Sequence, residues 1–165
     1  VKKITVGFSK SKSIFKIGSA AIQLAEKRDY SHAYIVYFSE EKQCHMVAQA
    51  SHGYVNEISL QEFEKSNIVI KQYELAITDA QFKQALAFIG SKMGSLYSKM
   101  QIFLIAIKKL IKFEIKQYNA DKYFICSEFA AIVCRILGVK VPDNLDYVTP
   151  SDLDTILHNN GLKPL

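Results

Sequence analysis

Two runs rich in β-forming residues, SHAYIVYF (31–38) and CHMVAQAS (44–51), stand only five polar residues apart, SEEKQ. A connection that short makes the two runs antiparallel neighbours, because a parallel pair needs a crossover of a dozen residues or more. Side chains in a strand alternate between faces. His32, Tyr34 and Val36 therefore share one face of the first run, and Ala33, Ile35 and Tyr37 share the other. On the second run His45, Val47, Gln49 and Ser51 lie together. No other stretch of the chain constrains its folding as tightly.

The rest of the first half extends this hairpin. ITVGF reads as a short N-terminal strand, HGYVNEISL as a strand after a turn at Gly53, and NIVIKQYEL as another, while SIFKIGSAAIQLAEKR has the spacing of an amphipathic helix. The second half is helical. Thr78-Asp79-Ala80-Gln81 spells a capping box, followed by a stripe of Phe82, Leu86, Ile89 and Met93 that stops at Gly94. SLYSKMQIFLIAIKKLIKFEIKQY predicts a helix with Phe103, Ile107, Leu110 and Ile111 on one side and Lys108, Lys112 and Lys116 on the other. A further helix is expected over Ser127–Leu137, with Phe129, Ile132, Val133 and Ile136 buried and Gly138 as its stop; Thr149 or Ser151 caps a last one. No linker, repeat or low-complexity tract divides the chain. The expected architecture is a single α+β domain over 1–165, a small antiparallel sheet packed against helices, and 49% hydrophobic residues in a chain of 165 suffice for a sizeable core.

Charge and cysteine usage narrow the function. The formal charge is +5, but only Arg28 and Arg135 are arginines and the lysines are spread along the whole chain. Nucleic-acid readout favours arginine's planar fork on one coherent face, so no nucleic-acid partner is expected. Three cysteines, Cys44, Cys126 and Cys134, do not make a disulfide framework and point to a reduced, cytoplasmic setting. The most apolar stretch, Ile102 to Ile107, meets Lys108 and Lys109 well short of the roughly 20 residues of a spanning helix. Neither HExxH nor a CxxC pair is present, so no metal and no cofactor are expected.

Against that background FICSEF (124–129) stands out, because it sets Cys126 where a loop becomes a helix. A helix N-terminus stabilises a thiolate, and a nucleophilic thiol needs an imidazole to take its proton. Of the four histidines, His158 lies in a polar terminal segment, and His45 and His52 flank turns and face solvent. His32 opens an apolar strand. If the hairpin pairs as expected, Gln49 comes near His32 and its carbonyl can hold the ring, the orienting part of a third polar residue in Cys-His hydrolases. The same pattern is served by a core histidine beside an ordinary strand glutamine, and the register decides between them. Glu128 is read as a helix-start residue, Cys134 as a core thiol and Cys44 as a turn residue.

The order YSHAYIV, HMVAQASHGYV, GSLY, FICSEFAAIVCRILG and VTPSDL resembles the circularly permuted branch of the NlpC-type papain-like hydrolases, which includes lecithin:retinol acyltransferase-like proteins. The resemblance spans roughly Ile4 to Leu153. It implies a permuted papain-like fold with Cys126 as nucleophile at a helix N-terminus, His32 as general base and acid, Gln49 as the orienting member where many relatives carry glutamate, and Tyr97 of GSLY as a substrate-binding residue. The implied activity is cleavage or transfer at an amide or ester through a Cys126 thioester. Its substrate is a small molecule, a lipid or a peptide such as a cell-wall crosslink; a binding module without chemistry is the alternative that Gln49 keeps open. The apolar stripe and lysines of residues 100–118 leave two expectations open, a core helix with a solvated lysine face or a peripheral membrane contact.

Overall fold

The computed structural model describes residues 2–12, 28–97, 123–145 and 148–165, with Tyr97, Tyr123 and Phe124 described through their backbone. Of the helices expected over 13–28 and 95–118, Arg28 and Ser95–Tyr97 are described and the rest lies outside this set; Leu96–Tyr97 form a strand paired with Tyr54 rather than the start of a helix. The described chain forms a seven-stranded sheet of order β5-β1-β2-β3-β4-β6-β7. Its strands are β1 (Lys2–Ser11), β2 (His32–Ser39), β3 (Cys44–Ser51), β4 (Tyr54–Ser59), β5 (Asn67–Ile77), β6 (Leu96–Tyr97) and β7 (Tyr123–Phe124). Every pairing is antiparallel except that of β6 with β7. Four helices accompany it among the described residues: α1 (Leu60–Ser66), α2 (Asp79–Lys92), α3 (Cys126–Ile136) and α4 (Pro150–Asn159). The fold is α+β, as the strand-rich first half and helical second half predict.

Alternation along the strands divides the sheet into two dry faces. Val6, Phe8, Ala33, Ile35, Ala48 and Tyr73 build the main core with Phe129, Val133, Leu153 and Leu157 of α3 and α4. On the other side Tyr34, Val36 and Val47 are covered by Phe63 of α1. Helix α1 is absent from the sequence reading. Its N-cap Ser59 accepts a hydrogen bond from the Glu62 backbone, but seven residues that bury only Phe63 give no helical stripe to detect. In α2 the Thr78 capping box forms as expected. The buried positions, however, are Ala85 and Ile89, while Phe82 and Leu86 are half-buried and Met93 is 38% exposed. The helix is turned so that Phe88 stacks on Phe129, with ring centres 5.9 Å apart.

Two local devices hold the sheet and its helices in place. Gly7 stands opposite Tyr34 in the β1–β2 register, and a Cβ there would overlap the Tyr34 ring, which lies across the glycine. The Tyr34 hydroxyl accepts from Gln72 Nε2 at 3.2 Å, and burial pushes its pKa up to about 12. The second device is the buried carboxylate of Asp154 in α4. Its oxygens accept from the hydroxyls of Tyr30 and Tyr73, each at 2.6 Å, and meet Lys71 Nζ at 2.7 Å, so that α4 is tied to β5 and to the approach to β2. Burial alone would raise this carboxyl's pKa. The hydrogen bonds from Lys71, Tyr30 and Tyr73, with the charge of Lys71, outweigh it and hold the pKa below its ordinary value.

A Gly7→Ala substitution is expected to cost about 1–3 kcal/mol in urea unfolding, because the strand and ring must move apart. Asp154→Asn is expected to lose about 3 kcal/mol at neutral pH, because it strips the charge from a buried, fully bonded group. A carboxyl whose pKa is depressed by folding stabilises above its unfolded pKa and loses that contribution as pH falls through the folded one. The wild-type advantage over Asp154→Asn should therefore shrink once the pH drops below 3.8. A difference that stays constant from pH 7 to pH 3 would contradict this role for the carboxylate.

Candidate active site

The β2–β3–β4 meander builds one side of the site. His32 is the first residue of β2 and is half-buried, with Tyr34 nearly parallel to it and Phe63 beyond, both rings centred 6.3 Å away. Gln49 is buried on β3, and its Oε1 lies 2.7 Å from His32 Nε2. The expected pairing of these two residues is thus present in the fold. Gln49 in turn donates through Nε2 to Oδ1 of Asn56, its register partner on β4, at 3.3 Å. Asn56 Nδ2 donates to the backbone carbonyls of Ser51 at 3.1 Å and Tyr54 at 3.4 Å. Those carbonyls flank a two-residue turn, His52 and Gly53, whose φ values of 56° and 100° match the mirror-image turns that join twisted strands.

Asn56 is absent from the sequence reading, although a signal for it exists. A two-residue turn at 52–53 pairs Ser51 with Tyr54, and counting outward pairs Gln49 with Asn56. Ser9 is a second such residue. It faces His32 in the β1–β2 register, is fully buried, and its hydroxyl has no hydrogen-bond partner among the described residues.

Cys126 comes from the far edge of the sheet. Strand β7 runs parallel beside β6, with Tyr97 opposite Phe124, and β6 joins β4 through Leu96 and Tyr54. Ile125 is extended, and helix α3 begins at Cys126, one residue before the expected start. The helix then packs on β2 and β3 from the side of Ala33, Ile35 and Ala48, while His32 stands beside Tyr34 and Phe63. Its first turn closes with the Phe129 N–H on the Ile125 carbonyl at 3.0 Å. Glu128 accepts from the Ile125 N–H at 3.5 Å; Ile125 has no side-chain acceptor, so this is half of a capping box and gives Glu128 a helix-start role. Ser127 donates to the Val148 carbonyl at 2.5 Å and fixes the helix start from behind.

The three cysteines separate by environment. Cys134 sits inside the main apolar core, and burial pushes its thiol up to about 12, which keeps it protonated and inert. Cys44 opens β3, half-buried, with Sγ 3.6 Å from Met46 Sδ. Cys126 is buried at 3% exposure, stands at the positive end of the α3 dipole and, among the described residues, belongs to neither apolar cluster. The remaining histidines, His45, His52 and His158, are exposed. For Tyr97 the pairing with Phe124 brings its backbone beside the strand that leads into Cys126; its side chain lies outside the described residues.

Among the described residues no three His, Cys, Asp or Glu side chains gather where a metal ion would be held, and no helix is long and apolar enough to cross a membrane. A groove of about 460 Å³ lies at the other end of β2, between Tyr37 and Phe38 and helix α2, remote from the strand position of His32. Compared with protein-family models and with curated protein sequences, the chain matches none.

Proposed function

We propose that the chain is a cysteine-dependent hydrolase or acyltransferase with a permuted papain-like arrangement, in which Cys126 attacks an ester or amide carbonyl and His32 moves the protons. The observation that carries this reading is the 2.7 Å bond between His32 Nε2 and Gln49 Oε1. A glutamine carbonyl only accepts, so the bond puts a proton on Nε2 and leaves Nδ1 as the basic nitrogen. Two observations support the reading: the imidazole is held by an acceptor on Gln49, and the helix that starts at Cys126 packs on the same two strands, β2 and β3; hydrogen-bond reach between Cys126 Sγ and His32 Nδ1 is what the proposal requires.

In the forward step Nδ1 takes the proton of Cys126 Sγ, and the thiolate adds to the carbonyl carbon. The carbonyl oxygen becomes an oxyanion, toward which first-turn N–H groups of α3 are the natural donors. Collapse breaks the bond to the leaving alcohol or amine, which departs with the proton from Nδ1, and a thioester remains on Sγ. Water, or an acceptor alcohol or amine, then gives its proton to Nδ1 and adds to the thioester. The acyl product leaves, and the proton returns to Sγ. Gln49 holds the imidazolium without offering it a charge, so the driving force for thiolate formation is weaker than with a carboxylate in that position. Acyl-lipid esters are the first substrate class to examine and peptide amides the second. The segment from 100 to 118, read as a core helix or a membrane contact, lies outside the described residues.

Thiolate absorbance and iodoacetamide alkylation across pH, compared with Cys126→Ala and His32→Ala, test the reading. The wild type is expected to form its Cys126 thiolate below the ordinary thiol value of about 8.5, and His32→Ala is expected to return it to that value. Gln49→Glu should increase the thiolate fraction at neutral pH by charging the partner of the imidazolium. A Cys126 that titrates as an ordinary thiol, unchanged by His32→Ala, would make the chain a binding module without this chemistry.

A further inference from the structure

We infer that Asn56 is a positioning residue: it fixes which end of the Gln49 amide meets His32, and so sets the tautomer of the imidazole. The two ends of a carboxamide have nearly the same shape, so contact with His32 alone leaves the orientation of Gln49 open. Asn56 resolves it. Its Nδ2 lies 3.1 Å from the Ser51 carbonyl and 3.4 Å from the Tyr54 carbonyl, and backbone carbonyls only accept. Turning the Asn56 amide over would set its oxygen against two others. The amide nitrogen is therefore committed to the turn, and Oδ1 faces Gln49.

The same argument then passes one strand further. With an acceptor 3.3 Å away on Asn56, Gln49 must present Nε2 to it, since a turned Gln49 would bring two carbonyl oxygens together. Oε1 is left for His32, and Nε2 of the ring carries the proton. Direction thus runs from the β3–β4 turn through Asn56 and Gln49 to the imidazole. Gln49 is buried, and Asn56 is half-buried beside it. Water competes poorly for groups so placed, and a mispaired buried polar atom is costly.

The inference concerns the state of His32 and rests on the hydrolase reading only for its consequence at Cys126. The experiment is long-range proton–nitrogen correlation NMR on the full chain at a pH above the imidazole titration, with the His32 signals identified by their loss in His32→Ala. The wild type is expected to show a protonated-type Nε2 and a bare Nδ1. Asn56→Ala removes the acceptor that orients Gln49 and is expected to give a mixture of both tautomers. Gln49→Glu in the Asn56→Ala background offers the ring only acceptor oxygens, whichever way the group is turned, and should restore the single Nε2–H form. Cys126 alkylation at neutral pH should fall in Asn56→Ala in proportion to the Nε2–H fraction that is left, about two-fold for an even mixture.

A wild-type His32 in the Nδ1–H form overturns the inference, whatever the variants do. So does a folded Asn56→Ala protein whose His32 stays wholly Nε2–H. Repeating the spectra on Cys126→Ala separates the two readings: a tautomer that follows Asn56 beside an unreactive cysteine sustains this inference and removes the hydrolase.

Discussion

The register of β2 against β3 is the constraint on which the rest depends. Ile35 pairs with Ala48 and Val36 with Val47, so each strand sends one set of side chains to the α3 side and the other to the α1 side. A slip of one residue would exchange those sets and drive polar Gln49 into the main core. Both faces are dry, and that penalty enforces the pairing from two directions. Gly7 adds a steric lock, since only a glycine at that point of β1 lets the Tyr34 ring lie across the strand.

From that register the chain of His32, Gln49 and Asn56 assembles without long loops. His32 and Gln49 come from neighbouring strands, and Asn56 follows around a two-residue turn. Cys126 is last in the chain and enters from the opposite edge, where β7 feeds directly into α3. The helix cannot drift along the sheet, because Phe129, Ala130 and Val133 are fully buried in the main core. Helix α4 is set in turn by the Asp154 carboxylate, whose three partners come from β5 and from the residues before β2. Packing fixes where the helices lie, and the polar cluster fixes which way one of them faces.

The parts of this arrangement that strand alternation reports were legible in the residues. His32 and Gln49 met as expected because a five-residue connection left little freedom in the hairpin. Asn56 is legible in principle, but it becomes visible only once the turn at 52–53 is assigned its length. Other features leave no periodic trace. Strands β6 and β7 are two residues each, too short for any pattern, and α1 buries a single side chain. The Asp154 cluster joins residues 30, 71, 73 and 154, which nothing local connects. In α2 the expected stripe holds at Ile89, with Phe82 and Leu86 packed against the core; Phe88, which lies off that stripe, also joins the core by stacking on Phe129, and Met93 is exposed.

The proposed chemistry rests on a difference between two buried thiols. Cys134 and Cys126 lie on the same helix, yet one is surrounded by apolar side chains and the other sits at the helix start, outside the apolar clusters. The measurement that tests their difference most directly is intact-protein mass spectrometry after brief exposure to an activated acyl ester, with the modified residue mapped by proteolysis. A single acyl group on Cys126, absent from Cys126→Ala and strongly reduced in His32→Ala, is the predicted result. Acylation confined to surface lysines and equal in all three proteins would contradict the account.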